Sequence, residues 1–280
     1  MFEERVQNLE QLENALLKQQ AKRESLARDY GAPGPLLFRG QGNAAWPLST
    51  TLERYTRRQF SLDEYLSTLE KIQPVLQAYT GERWEVQRDE FKKEVRVDQP
   101  LSEQLGLLRA YPLMVHARHH GFPSPLMDST ASPYVAMYFA FANANPSYPI
   151  SVYAFQESPT GEKYDRSSVQ PHTFGKNSRI ETLKPSVASH KRHFMQQARY
   201  TVCLRGHGQN MWFAGHDEFL QQSEPYDEII TRFVCPSDVT NQAMQRLNQM
   251  NINAYTLFGN EESLFETLAF DAIRNAANSS

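Results

Sequence analysis

Val6, Leu9, Leu12 and Leu16 recur at helical spacing through a segment otherwise rich in Glu, Gln, Lys and Ala, which predicts an amphipathic helix over residues 2–29. Gly31-Ala32-Pro33-Gly34-Pro35 then stops it. Leu36-Leu37-Phe38-Arg39-Gly40 reads as a short buried strand that ends in a charge. A short helix is expected over 52–55, and two longer ones over 62–80 and 84–96. The second of these has the mixed charge of a solvated face. A further helix is expected over 102–119, interrupted near Pro112. From His119 to Pro133 the pattern breaks into a loop of imidazoles, prolines, hydroxyls and a carboxylate. Ser132-Pro133 then reads as N-cap and first helical residue. The helix that follows, over 134–142, is apolar nearly all round and so should be buried.

Strands are expected over 150–155, at the end of 191–205 and over 228–235. Residues 156–190 read as a long polar connection and 206–225 as an insertion. Helices are expected from Ser237 or Asp238 to about Met250, and over 261–277. Helices, one strand, more helices and then loop-separated strands predict an α+β fold rather than a regular βαβ alternation.

Composition narrows this little. The chain has 280 residues, enough for one large domain or two small ones, with 40% hydrophobic and 22% charged residues. A net charge of −3 announces no general nucleic-acid binder, although a local basic face stays open. There is no apolar run of membrane-spanning length and no signal-peptide pattern at Met1–Val6, so a cytoplasmic protein without a membrane partner is expected. Cys203 and Cys235 stand far apart without metal-type spacing; two free, buried thiols are expected, and no metal site.

Candidate chemistry concentrates in three places. An arginine closing an apolar run is expensive to bury unless it meets an anion, which singles out Arg39. Gly40 beside it lets the backbone turn sharply or come close to something. A rigid polar loop docked on a buried helix holds a site still, which singles out His119, Asp128, Ser129 and Thr130. The segment 191–205, basic with Phe194 and Tyr200 interleaved, suits a nucleic-acid backbone and a stacked base, or equally a solvated strand edge.

Three blocks in order resemble the FRG domain family, named for a Phe/Tyr-Arg-Gly motif. They are Phe38-Arg39-Gly40-Gln41 with Trp46, Leu48 and Arg54; His119 to Thr130 followed by Ser132-Pro133 and Ala136–Ala140; and Arg192, Gln196-Gln197-Ala198 and Tyr200. The resemblance spans roughly 30–260, and implies an N-terminal helix over 1–30, an FRG domain over 31–260 with a helical insertion at about 60–118, and a C-terminal helix over 261–280. This sequence departs from the family pattern at Ser124-Pro125, where Thr-Arg is usual, at Ser129, where Trp is usual, and at Ala198, where Gly is usual. Any ligand contact made by the usual arginine or tryptophan is therefore missing here.

A looser resemblance is to ADP-ribosyltransferases of the Arg–Ser/Thr–Glu type. It rests on Arg39-Gly40, on Ser129-Thr130 ahead of the Ala-rich helix, and on Asp227-Glu228-Ile229-Ile230 ahead of Pro236. That resemblance implies a mixed or antiparallel split sheet like an ADP-ribosyltransferase core. NAD would be the substrate, cleaved through an oxocarbenium-like cation. Arg39 would hold phosphate or ribose oxygens, Ser129 or Thr130 the nicotinamide-side ribose, and Glu228 the ribose 2′-hydroxyl and the cation. Tyr138 or Tyr200 would stack on nicotinamide, and Gln196 would read its carboxamide. Glu224 and Gln196 are alternatives to Glu228. His119 and Asp128 would line the same site, with Asp128 bracing Arg39. The acceptor would be nucleic acid, RNA in particular, or protein; the FRG resemblance implies a bacterial toxin or phage-defence effector, with an antitoxin or chaperone meeting the N-terminal helix. The alternatives are a non-catalytic ligand-binding or interaction module and an NAD glycohydrolase.

Overall fold

A computed structural model describes residues 1–30, 34–94, 105–156, 179–183, 192–207, 210–217 and 230–274. Its strands are β1 (Phe2–Arg5), β2 (Leu36–Gln41), β3 (Met127–Thr130), β4 (Ile150–Gln156), β5 (Arg179–Leu183), β6 (Ala198–His207), β7 (Asn210–Phe213) and β8 (Ile230–Cys235). Among the described residues they form one mixed, open sheet in the order β1-β8-β4-β2-β3-β6-β5, with β7 also paired to β6. Only β1 runs parallel to its neighbour β8; the other ladders are antiparallel. The helices are α1 (Leu9–Tyr30), α2 (Thr51–Thr56), α3 (Leu62–Thr80), α4 (Arg88–Glu94), α5 (Leu105–His119), α6 (Pro133–Ala142), α7 (Arg192–Met195), α8 (Thr240–Gln249), α9 (Ala254–Phe258) and α10 (Glu261–Ala269).

Among the described residues the sheet carries two large cores and a small third cluster of Leu48, Met127, Tyr153 and Ile230. Over β2, β4 and β8 lie α1, α6, α8 and α9, burying Leu12, Leu16, Phe38, Met137, Phe141, Val152, Phe233 and Leu247. Over β6 and β7 lie α3 and α5, burying Leu62, Leu66, Leu69, Leu113, Met114, Tyr200, Leu204 and Met211. Two of these packing helices are fixed at their starts by side-chain caps. Ser61 and Glu64 form a reciprocal capping box on α3. Ser132 Oγ accepts from Val135 N, and Pro133 supplies the first residue of α6.

The two halves of the sheet meet at β2 and β3, which pair at one position, Phe38 opposite Thr130. Beyond it, towards Gln41 on one strand and Met127 on the other, the strands part. The expected split sheet is thus a continuous sheet opened at a single seam.

Other expectations change. Residues 2–5 form an edge strand rather than the start of the helix, because the strand edge of β8 satisfies their backbone. Met127–Thr130 is a strand and not loop, held by β6 despite its polar side chains. Arg179–Leu183, inside the expected polar connection, is a strand on the other edge of β6. Pro112 does not interrupt α5: Tyr111, Leu113 and Met114 are buried against α3, and that packing holds the helix across the one missing backbone donor. Both cysteines are buried, and neither forms a disulfide among the described residues.

Candidate functional site: an arginine-lined cleft at the seam

Where β2 and β3 part, a cleft of about 780 Å³ opens, within the size range of small-molecule sites. Arg39 sits in the gap. Its Nη1 donates to the backbone carbonyl of Asp128 at 2.6 Å, so the guanidinium takes the place of a missing strand-to-strand bond. Its Nε is buried with no hydrogen-bond partner among the described residues. Buried polar groups are almost always satisfied, so an unmatched guanidinium N–H lining a cleft calls for an acceptor. Gln41 Oε1, two residues on and also lining the cleft, is likewise unmatched. Burial pulls the Arg39 pKa below its ordinary value, with Asp128 opposing.

A second arginine is locked in place behind Asp128. Arg118, at the end of α5, grips that carboxylate with both ends of its fork: Nε reaches Oδ1 at 2.6 Å and Nη2 contacts Oδ2. Arg118 Nη1 also donates to Thr51 Oγ1 at 3.3 Å, and Thr51 in turn donates to the carbonyl of Ser124. The Arg118 side chain is 11% exposed, while that of Asp128 is 55% exposed but sunk in the cleft. Burial acts to raise the Asp128 pKa, and the guanidiniums of Arg118 and Arg39 outweigh it and hold the carboxyl below its usual value. Arg54 and Arg192 also line the cleft. Four arginines against one carboxylate make it strongly electropositive. Trp46, Phe139 and Phe258 supply aromatic surface in the same walls.

Residues 34–148 match the FRG domain family model. The match supports the FRG family, and it covers β2 through α6. No curated protein and no solved structure matches significantly. The FRG segment therefore contributes Arg39, Gly40, Trp46, Arg54, Arg118, His119, Asp128 and Phe139 to the cleft. The opposite wall, with Arg192, Gln196, Tyr200 and Phe258, comes from chain outside that segment. The motif glycine has a packing role. A Cβ on Gly40 would fall 1.9 Å from Ala136 O and 2.7 Å from Ala140 N, so the FRG glycine lets α6 sit directly on β2.

Of the residues singled out in the sequence, Arg39, Gly40, His119, Asp128, Ser129, Thr130, Gln196 and Tyr200 all line this cleft. Thr130, expected at the ribose, already donates to Gln196 O at 2.7 Å and accepts from Ser132 N at 3.0 Å. It fastens the turn into α6. Gln196 donates from Nε2 to Leu257 O at 3.1 Å. Tyr138 does not reach the cleft: it faces a separate groove with Phe141, Met244 and Ile252, and its neighbour Phe139 lines the cleft instead. Glu228 and Glu224 lie outside the described residues. Arg118 was not anticipated; its signal is a lone cation closing the apolar run Leu113-Met114-Val115-His116-Ala117. The segment 191–205 divides into α7 and β6, and only its start and middle face the cleft.

Proposed function

We propose that the cleft binds NAD and that the protein transfers ADP-ribose from it to an acceptor. What supports this above all is Arg39, which lines a cleft of dinucleotide size together with three further arginines and whose buried Nε is unmatched among the described residues. A diphosphate supplies the acceptor oxygens and charge that these guanidiniums lack. Trp46, Phe139 and Phe258 offer faces on which adenine or nicotinamide stacks. Cleavage leaves nicotinamide neutral, so the protein's task is to fix the diphosphate and to place negative charge by the cationic ribose. Glu228 is proposed for that carboxylate. The acceptor would be RNA, another nucleic acid or a protein, and the FRG likeness suggests a toxin or phage-defence effector restrained by a partner.

The test is to incubate the full chain with labelled NAD and cell extract, following label transfer and nicotinamide release. Transfer that is abolished by Glu228→Gln is the expected result; absence of both transfer and release refutes the reading. Arg39→Met should weaken NAD binding about tenfold by calorimetry, the scale of one lost charge-assisted contact. One observation favours a non-catalytic binding module instead. Among the described residues, the only cleft carboxylate is committed to Arg118, and the Thr130 hydroxyl is committed to its turn. NAD affinity without turnover would decide for that module.

A further inference from the structure

Two histidines and a tyrosine meet in the inner wall of the cleft, delivered by three separate elements. His119 ends α5, His193 lies in α7 and Tyr200 in β6. His119 Nε2 is 3.0 Å from His193 Nε2. The Tyr200 hydroxyl is 2.7 Å from His193 Nε2 and 3.1 Å from His119 Nε2. The imidazole centroids are 5.2 Å apart. With the nitrogens at 3.0 Å, that separation means the rings point at each other almost head-on. Two ligands of a shared metal ion would converge at a steep angle, with their ring centres closer. Head-on geometry is that of an N–H···N hydrogen bond.

Two facing ring nitrogens need one proton between them, since two N–H groups collide and two lone pairs repel. The imidazoles therefore carry opposite tautomers. With the phenolic hydrogen, three heteroatoms hold two protons that can redistribute without the side chains moving. His193 and Tyr200 are 3% and 1% exposed, whereas His119 is half-buried and lines the cleft. The charged and titratable groups facing the cluster are Asp128 from β3, Arg118 and Tyr111 from α5, and Arg192 from α7.

We propose that His119 is the general base of the cleft and that His193 and Tyr200 are positioning residues that carry its proton inward. The proposal rests on the transfer reading above. In that reaction the bond from ribose C1′ to the nicotinamide nitrogen breaks, and its electron pair leaves with nicotinamide. A bond forms from the acceptor's oxygen or nitrogen to C1′, and the acceptor's proton passes to the His119 imidazole. The shared proton shifts to His193, and the cluster holds one positive charge, opposed by Asp128, until product leaves and the proton returns to solvent. General bases of this kind are worth about 10²- to 10⁴-fold.

The deciding experiment measures the pH dependence of kcat for NAD consumption by the full chain, together with ¹⁵N spectra of its histidines. His119→Gln should lower kcat about 100-fold with NAD affinity unchanged, and should remove the acidic limb of the profile. Tyr200→Phe should displace that limb while leaving NAD affinity alone, which a packing role would not do. A His119→Gln protein that keeps rate and acidic limb overturns the proposal. In the wild-type spectra, one Nε2 protonated and one not, coupled through the shared hydrogen, is the expected signature. Identical tautomers on both rings overturn the relay by itself. The shared-proton signature in a chain that releases no nicotinamide instead overturns the transfer reading, and the base role with it.

Discussion

The two halves of the sheet are built to different standards. On one side, β2, β4 and β8 pair along six positions per ladder, under a core that includes Phe38, Met137, Phe141, Val152 and Phe233. On the other, β3, β6, β5 and β7 pair over four or five positions, under the helices α3 and α5. Each half closes its own apolar interior. Their junction, the single pairing of Phe38 with Thr130, does not, and the gap is filled by Arg39, Asp128 and Arg118. Charge is tolerated where the backbone ladder stops, because the opened strands supply a carbonyl to a guanidinium and leave room for solvent or ligand.

The strongest way to break this arrangement is to unseat α6 from β2. Gly40→Ala should cost about 3 kcal/mol in urea unfolding, with the slope unchanged, because the new methyl would fall 1.9 Å from Ala136 O. Gly121→Ala is the control. Among the described residues nothing lies within 4 Å of a Cβ there, and its φ of +83° opposes the change, so about 1 kcal/mol is expected. Next comes the seam. Arg118→Met leaves Asp128 without its bidentate partner; since that carboxylate is 55% exposed, the stability loss should be about 1 kcal/mol. The same variant should weaken NAD binding, measured by calorimetry, more than it weakens the fold.

Acid should report on the underside of the seam. His216 is 3% exposed, bonded through Nε2 to Thr201 Oγ1 at 3.0 Å, and burial together with the charge of Arg39 pushes its pKa down to about 3. The unfolded chain takes up a proton near 6.5 that the folded chain refuses. Its contribution is therefore complete above pH 6.5 and is lost as pH falls from there towards 3. Unfolding free energy should drop across that window, and His216→Gln should flatten the drop; an unchanged slope would exclude His216 as its cause. The smallest effect belongs to Trp46, which is 51% exposed on the cleft wall. Trp46→Ala should change stability by less than about 0.5 kcal/mol and weaken NAD binding about threefold.

Most of the framework is legible in the residues themselves. An apolar run closed by Arg39 gives β2, and Ser132-Pro133 gives the start of α6. The strand Met127–Thr130 is hidden because four residues with Asp128 and Ser129 at their centre show neither apolar alternation nor a β-branched run, and its order comes from β6, some 70 residues later. The choice of Phe139 over Tyr138 was hidden for the opposite reason: a helix apolar all round offers no face to read. Arg118 escaped notice because a single cation at a helix end is ordinary until its partner is known. The sequence reads the motif glycine as a place where the backbone turns sharply or comes close to something, and what approaches it is the carbonyl of Ala136.

The edge pairing of β1 with β8 carries a consequence for assembly. Glu3 and Arg232, 229 positions apart, meet across it, so this rim of the sheet cannot form until the long intervening stretch has been synthesised and collapsed. Closing so wide a loop comes late and slowly in folding. Until then β1, synthesised first, waits without the strand it pairs with, and the nascent chain is open to mispairing with its neighbours on the ribosome.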